Sequence, residues 1–296
     1  YNNYARDYYK VTATANTMTV SLQHVTANES SSDFSVYLYN SSEIQIDSFS
    51  AYNGVDNSIE FWVTSGQTYY IRVDGQSSYS GQYKLKTSFS TTSGNLDLES
   101  SDTWETAQTI TEDTTYKGER NGSSDSYDYY KITAPTGKTT MTVLLSHVTA
   151  NASGSDYSAY VYHGTSTTVA YIYAFDGLSD NQTFGVVAGD TYYIRVYVSS
   201  ASLGNSTDGY TRYRYQLKAS FGTENYELEL NNSFSSAQTI SAGPWYIGQW
   251  SGYYTESYNN YARDYYKVTA TANTMTVSLQ HVTANESSSD FSVYLY

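Results

Sequence analysis

The chain has 296 residues, no Cys, only two Pro and 36 Tyr, and its 29 acidic against 15 basic side chains give a net charge of −14. Such a polyanion repels nucleic acid and anionic membrane surfaces, which excludes functions that need a basic patch. The absence of Cys removes disulfides, thiol catalysis and Cys-based metal sites. No stretch resembles a signal peptide or a membrane span, and we expect both ends to be cut points in a longer polypeptide.

Strands are predicted wherever apolar and polar residues alternate. Two examples each have one apolar face. In the first it is formed by Met18, Val20 and Leu22, and in the second by Phe34, Val36 and Leu38. No window of helical length carries an apolar stripe with caps, so little helix is expected. About seven or eight short strands per copy, each with one buried face, predict an all-β fold of antiparallel two-sheet β-sandwich domains.

Tyrosines alternate onto the face opposite the apolar one, as at Tyr37 and Tyr39 and again at Tyr160 and Tyr162. A row of phenols on a sheet surface suits contacts with carbohydrate, with peptide or with other copies of the chain. The alternative is that these rings only stiffen the strands through cross-strand pairing.

Internal repetition is the strongest signal in the sequence. Residues 258–296 reproduce residues 1–39 without a change, at a period of 257 residues, and a diverged copy lies between them. The motif Asp7-Tyr-Tyr-Lys-Val returns at Asp128, and Gly66-Gln-Thr-Tyr-Tyr-Ile-Arg-Val returns at Gly189 with one change. We therefore predict three parts: a sister sandwich that lacks its N-terminal lead-in (1–91), a complete sandwich (95–222) and the start of the next repeat (224–296).

The order of several motifs resembles the bacterial and archaeal pre-peptidase C-terminal domains, which include the collagen-binding domains of secreted collagenases. The matching segments are an acidic lead-in (97–102, then 107–110), Asp125-Ser-Tyr-Asp128-Tyr-Tyr, Tyr192-Tyr-Ile-Arg-Val and Tyr215-Gln-Leu-Lys. The second copy offers 227–232, 237–240 and Asp264-Tyr-Tyr. The resemblance implies tandem jelly-roll-like sandwiches, secretion, no catalytic activity and, in some members, calcium held between the lead-in and the Asp-x-x-Asp-Tyr turn.

Carboxylates converge if the lead-in packs beside that turn. Like charges at close range disfavour ionisation unless a metal neutralises them, and many hard oxygen ligands suit Ca²⁺. The alternative is a set of solvated acids in an ordinary turn. The predicted ligands are Asp97, Glu99, Ser101, Asp102, Asp125, Asp128 and a backbone carbonyl near Tyr129.

A second, poorer calcium site is expected one repeat later. Tyr261 stands where the first Asp of the Asp-x-x-Asp spacing is expected, although Asn260 could replace it after a loop shift. For the copy that begins at Tyr1 the lead-in precedes the given sequence, so Asp7 should have an incomplete site. The ligands predicted for the second site are Glu227, Glu229, Asn231, Asn232, Asn260 and Asp264.

Eight Asn-x-Ser/Thr sequons mark surface positions if the host glycosylates. They lie at Asn28, Asn40, Asn121, Asn151, Asn181, Asn205, Asn231 and Asn285.

These features favour a structural repeat of an extracellular or cell-surface protein, in which sandwich pairs associate head to tail in an array or filament with calcium-stiffened linkers. The alternative is an adhesive module that attaches a secreted protein to carbohydrate, collagen or another surface. No nucleophile accompanies a base in any known catalytic motif, so an enzyme is not expected. No nucleic-acid partner and no membrane span are expected either.

Overall fold

The computed structural model describes residues 6–25, 34–52, 54–75, 82–97, 101–121, 127–147, 157–175, 178–198, 212–249, 263–282 and 291–296. Throughout these ranges the chain forms strands and turns and no helix, so none of the described segments offers a helix that could cross a membrane. The all-β prediction is confirmed. In chain order the strands are β1 Arg6–Thr12, β2 Thr17–His24, β3 Phe34–Tyr39, β4 Gln45–Ala51, β5 Asn57–Trp62, β6 Thr68–Gly75, β7 Tyr83–Ser90, β8 Asn95–Leu96, β9 Gln108–Thr109, β10 Thr115–Asn121, β11 Asp128–Thr133, β12 Thr140–His147, β13 Tyr157–His163, β14 Thr167–Ala174, β15 Asp180–Gly185, β16 Thr191–Val198, β17 Arg212–Gly222, β18 Gln238–Thr239 and β19 Tyr266–Lys267.

The first sandwich, strands β1–β7, is built from two sheets. A four-stranded sheet has the order β1-β6-β3-β4, and a three-stranded sheet has the order β5-β2-β7. The alternation predicted for β2 and β3 is confirmed, because their apolar side chains are buried while Tyr37 and Tyr39 are partly exposed on the other face. The core includes Met18, Leu22, Phe49, Phe61 and Ile71.

The central sandwich, strands β8–β17, repeats this plan with longer sheets. Their orders are β15-β12-β17-β10-β8 and β14-β13-β16-β11-β9. The registers match the first copy, since Tyr37 faces Arg72 across β3 and β6 while Tyr160 faces Arg195 across β13 and β16. Four fully buried tyrosines contribute to its core, namely Tyr130, Tyr157, Tyr192 and Tyr215.

The lead-in strands are the exception to the antiparallel pattern. Strand β8 pairs with β10, β9 with β11 and β18 with β19, each in parallel over two residues. The prediction of antiparallel sandwiches describes the long strands well, but these short pairs were not anticipated. They place each lead-in along the edge of the sheet that follows it.

Two compact units are distinguished by their internal contacts. One comprises Tyr1–Thr133, Val143–Gln182 and Thr191–Ser220, and the other comprises Ala134–Thr142, Thr183–Asp190 and Phe221–Tyr296. The second unit contains the second lead-in together with segments that precede it. The boundaries predicted from the repeats, at 91–95 and 222–224, stay a prediction.

Candidate functional site

The central cluster forms where the first lead-in meets the opening strand of the central sandwich. Beyond the parallel pair of β8 and β10, the Asp97 amide donates to the Lys117 carbonyl at 2.8 Å. Further along the lead-in, Ser101 precedes a turn at 104–106, and β9 runs alongside β11, which begins at Asp128. Asp97, Ser101 and Asp128 are all buried. The described part of the lead-in therefore lies beside the start of β11.

Ser101 is hydrogen-bonded both to Asp97 of the lead-in and to Tyr129 of β11. The Ser101 hydroxyl donates to Asp97 Oδ1 at 3.2 Å, and the Tyr129 amide donates to the Ser101 carbonyl at 2.8 Å. The other carboxylate oxygen, Asp97 Oδ2, is buried and has no hydrogen-bond partner within the described ranges. A buried oxygen without a donor is costly, so this atom has the capacity for one further ligand.

Two buried phenols close the inner side of the cluster. The Tyr215 hydroxyl donates to Asp128 Oδ2 at 2.6 Å, and the Tyr130 and Tyr215 hydroxyl oxygens lie 2.6 Å apart. Gly118 lies directly opposite Tyr215 in the sheet, and a Cβ added at Gly118 would overlap the Tyr215 ring. The Tyr215 ring therefore lies over the backbone at Gly118, in space that a larger residue would fill.

Burial dominates the electrostatics of the central cluster. It raises the pKa of Asp97 to about 6, although the Ser101 hydroxyl and the nearby Asp128 and Tyr130 side chains partly offset it. Partial burial of its carboxyl group also raises the pKa of Asp102, which directly follows Ser101 and whose side chain remains exposed in part. The pKa values of Tyr130 and Tyr215 lie well above their ordinary value because of burial and the neighbouring carboxylates. Burial therefore favours the neutral form of Asp97 more than it would in an exposed carboxyl group, and a nearby cation would favour the ionised form.

The C-terminal cluster repeats this framework one lead-in later, with Glu227 in the place of Asp97 and Asn231 in the place of Ser101. The Tyr265 amide donates to the Asn231 carbonyl at 2.8 Å, as Tyr129 does to Ser101. Glu227 accepts hydrogen bonds from the Tyr266 hydroxyl at 2.9 Å, from the Asn231 amide at 3.5 Å and from the Gln249 backbone amide. Asn231 Oδ1 is buried and has no hydrogen-bond partner in the part of the chain that the structure describes.

Three carboxyl groups of the C-terminal cluster have raised pKa values. Burial raises the pKa of Glu227 to about 7, where the Gln249 amide opposes and Asp264 reinforces the shift. The pKa of Glu229 is also about 7, because of burial and then Asp264. Burial likewise raises the pKa of Asp264. Burial and the neighbouring carboxylates therefore favour the protonated forms of these groups more than in exposed carboxyl groups.

The predicted calcium ligands are only partly placed by the structure. It brings Asp97, Ser101, Asp128 and Tyr129 together, and separately Glu227, Glu229, Asn231 and Asp264. Asp102 and Asn232 are exposed in their turns. Within the described ranges no three His, Asp or Glu side chains form a group that could hold a metal ion. Glu99, Asp125 and Asn260 lie outside the described residues.

Sequence reasoning missed the phenols and a backbone donor of the two clusters. Tyr130, Tyr215, Tyr266 and the Gln249 amide were not among the predicted site residues. One signal was available, because a Tyr follows Asp128 and Asp264 two positions later in both copies. Tyr215 was not recognisable in this way, since it reaches Asp128 across 87 positions of sequence.

One aromatic ring from each lead-in packs against tyrosines of the copy that follows it. Trp104 meets Tyr129 edge-on, with ring centroids 4.6 Å apart, and Phe234 meets Tyr265 in the same way at 4.8 Å. Such edge-to-face pairs add to the area that each ring buries. A further ring in each group comes from equivalent positions of the repeat, Tyr162 at 4.8 Å and Tyr296 at 5.1 Å.

A second candidate site is the outer face of the sheet formed by β14, β13, β16 and β11. Here the side chain of Arg195 lies over the rings of Tyr127, Tyr160 and Tyr162, with centroid distances of 5.1, 5.0 and 5.5 Å. We call this surface the tyrosine face; its members are Arg195, Tyr127, Tyr160, Tyr162, Tyr171, Tyr173 and Tyr197.

The predicted glycosylation sites differ in their surroundings. Asn181 is exposed, and Asn40 lies in the turn between β3 and β4, where its side-chain oxygen accepts hydrogen bonds from Ser42 and Ile44. Asn231 is 1% exposed, which leaves its amide nitrogen no room for a glycan in this fold. Asn121 ends β10, and nothing is described of its side chain. Asn28, Asn151, Asn205 and Asn285 lie outside the described residues.

Comparisons with known proteins give only remote similarities. No protein-family model matches the chain, and no curated protein matches it. Among solved structures, a periplasmic inhibitor of g-type lysozyme from Aeromonas hydrophila is 16% identical with a TM-score of 0.28, over 43% of this chain and 98% of that one. Tripeptidyl peptidase 2 is 13% identical with a TM-score of 0.27, over 73% of this chain and 21% of that one.

A secreted protein from Eubacterium rectale is similar at 12% identity, with a TM-score of 0.20, over 72% of this chain and 68% of that one. At these scores the neighbours carry no argument about function.

Proposed function

We propose that this chain is a structural repeat of an extracellular surface or filament-forming protein, with lead-ins that calcium stiffens. The observation that supports it most is the recurrence of one joint. Each lead-in is tied to the opening strand of the copy that follows it by the same contacts, among them Tyr129 to Ser101 and Tyr265 to Asn231, both at 2.8 Å. Together with the identity of residues 1–39 and 258–296, a recurring joint suits a linear array.

The joint between the first and central sandwiches carries a second set of contacts. Arg214 of β17 pairs with buried Glu119 of its own sheet and with Glu60 of β5 at 3.2 Å. The same guanidinium lies over the Trp62 ring at 5.0 Å. A buried carboxylate is costly without a paired cation, so Glu119 fixes the position of the Arg214 side chain. From that position Arg214 contacts the first sandwich. Such a contact restricts the hinge between adjacent sandwiches.

Calcium is proposed because the two clusters suit a hard cation. Asp97 Oδ2 and Asn231 Oδ1 are buried oxygen atoms without donors in the described part of the chain, and the pKa values of Asp97, Glu227 and Glu229 are raised by burial. In the central cluster Asp97 and Asp128 would hold the ion, and in the C-terminal cluster Glu227 and Asp264 would. A bound cation would neutralise these groups and fix the lead-in against the strand.

The test measures calcium binding and lead-in order in the same chain. Calorimetry should detect calcium with a dissociation constant of roughly 10⁻⁴ to 10⁻³ M. Hydrogen exchange at the Asp97 and Tyr129 amides should slow when calcium is added. Asp97→Asn combined with Asp128→Asn should abolish the central-site effect, whereas Glu43→Gln, a change in an exposed turn, should leave it intact. Slowing that persists in the double variant would overturn the calcium assignment.

Electron microscopy of native material tests the array itself. Continuous fibres or a surface lattice built from beads of sandwich size are expected. Isolated single domains in native material would contradict the array while leaving calcium binding possible.

Location and family belong to the same proposal. An extracellular chain of the pre-peptidase C-terminal kind, without catalytic activity, accounts for the absence of Cys, the acidic lead-ins and the sequons. The tyrosine face favours a second function, that of an adhesive module, because partly exposed aromatic side chains around a cation are a recognition surface.

A further inference from the structure

The tyrosine face differs from the equivalent face of the first sandwich in the surroundings of its arginine. Arg72 is equivalent to Arg195 and lies over Tyr37 at 4.1 Å, but its Nε is also 2.9 Å from Asp74 Oδ1. Tyr197 takes the place of Asp74 in the central copy, so the carboxylate is lost. The Nε atoms of both arginines are buried and make no hydrogen bond within the described ranges. The difference is the ion pair with Asp74, which Arg72 has and for which Arg195 has no counterpart among the described residues.

The rings around Arg195 form a broad and partly parallel surface. Tyr160 and Tyr197 have ring planes 17° apart and centroids 5.8 Å apart. Along β14 and just beyond it, Tyr171, Tyr173 and Phe175 follow one another with interplanar angles of 13° and 19°. In the first sandwich Ser48 and Ser50 replace Tyr171 and Tyr173. Compared with the first sandwich, the central copy therefore lacks the carboxylate of Asp74 and has more aromatic area on the same face.

We propose that the tyrosine face binds a polysaccharide whose pyranose rings carry carboxylates, with Arg195 as the carboxylate-binding residue. Aromatic side chains offer an apolar face to the C–H surface of a sugar ring and a hydroxyl to its polar edge. A guanidinium pairs with a carboxylate through two parallel hydrogen bonds. This inference rests on the adhesive function and is independent of the array.

Charge complementarity favours this ligand. The chain as a whole carries a net charge of −14 and repels polyanions, so an acidic polymer gains attraction only where a cation lacks its own partner. Arg195 meets that condition and Arg72, with Asp74 beside it, does not. A peptide that adds to a sheet needs an open strand edge. The tyrosine face lies on the broad surface of inner strands, since β13 and β16 are paired on both sides.

The experiment measures binding of the whole chain to polygalacturonate by affinity electrophoresis in EDTA, which also keeps calcium from bridging the polymer. Retardation by polygalacturonate and none by neutral dextran is expected. Arg195→Gln should weaken binding by about tenfold or more, the loss typical of a hydrogen-bonded charge. Tyr197→Asp should weaken it comparably by restoring the ion pair of the first sandwich, and Arg72→Gln is the matched control and should bind like the unaltered chain.

Circular dichroism and the fluorescence of Trp104, whose ring packs against Tyr162, establish that the variants remain folded. Arg195→Lys, which keeps the charge, is the second variant if Arg195→Gln loses structure, and it should retain part of the binding. Equal retardation of the unaltered chain and Tyr197→Asp would overturn the role of Arg195. Equal binding to dextran would overturn the requirement for a carboxylate. Tighter binding to polyglutamate would identify an acidic polypeptide and overturn the assignment to a sugar.

Discussion

The central and C-terminal clusters share one pattern of backbone hydrogen bonds but differ in the side chains that contact their carboxyl groups. In the central cluster a single phenol from β17 reaches Asp128, and the inner side is packed against Gly118. In the C-terminal cluster the longer Glu227 accepts hydrogen bonds from Tyr266, Gln249 and Asn231.

The two clusters also differ in what surrounds the equivalent glycines. A Cβ added at Gly118 would overlap the Tyr215 ring, whereas one at Gly248 would lie 3.0 Å from the Tyr266 hydroxyl. The comparison indicates that backbone pairing specifies the joint, while the packing around it determines how strongly the pKa values of the buried carboxyl groups are raised.

The largest expected difference between the clusters is in packing. Gly118→Ala should lower the free energy of unfolding by about 3 kcal/mol, because the new methyl group must displace a fully buried ring. Gly248→Ala, at the equivalent position, should cost less than about 1 kcal/mol, because a hydroxyl can move by a few tenths of an ångström. Urea unfolding followed by hydrogen exchange measures both, and equal costs would show that Tyr215 does not distinguish the clusters.

A smaller difference is expected in the dependence on pH without calcium. Burial raises the pKa of Glu227 from 4.5 to about 7 and that of Asp97 from 3.8 to about 6, so each folded cluster holds its proton more tightly than the unfolded chain. The stability contributed is complete below the unfolded pKa and is lost as pH rises through the folded pKa. The loss should occur between about pH 4.5 and 7 at Glu227 and between about pH 4 and 6 at Asp97.

Glu227→Gln tests this directly, since the amide has no charge to bury. Relative to the unaltered chain it should gain about 1–2 kcal/mol between pH 4.5 and 7.5, as reported by hydrogen exchange near Gln249. Asp97→Asn should produce its gain at lower pH, near Tyr129. Coincident pH midpoints for the two variants would contradict the comparison.

The smallest effect concerns the polar residue at the turn of each lead-in. Ser101→Ala should cost about 1 kcal/mol, because it removes the hydroxyl that donates to Asp97. Asn231→Ser should cost less, since the Asn231 amide reaches Glu227 only at 3.5 Å and its oxygen has no partner in the described part of the chain. Thermal unfolding in EDTA resolves the two, and a larger loss for Asn231→Ser would reverse the order.

The sequence was sufficient for the strands because alternation is a local property. Met18, Val20 and Leu22 are buried as expected, and the repeats fix which residues of the copies are equivalent. It was also sufficient to bring Asp97 near Asp128, because both belong to one ordered set of motifs.

The packing of the site could not be predicted in the same way. The bond between Tyr215 and Asp128 depends on the order of strands in a sheet, which no local pattern encodes. The convergence of all five carboxylates of the first lead-in and turn stays a prediction, because Glu99 and Asp125 lie outside the described residues, while the charge of Asp102 contributes to the raised pKa of Asp97. The two-residue parallel pairs were missed because a strand that short leaves no alternation to detect.

The close approach of Gly185 to the Glu227 carbonyl limits which duplications of the repeat are compatible with the fold. A side chain at Gly185 would collide with the Glu227 carbonyl, whereas the equivalent residue of the first copy is Trp62. A recombination event that replaced one sandwich by its sister would bring an indole to a place that admits only hydrogen. Duplication of the whole pair preserves both junctions. This accounts for a genetic unit of 257 residues, and for the identity between segments that are two sandwiches apart rather than one.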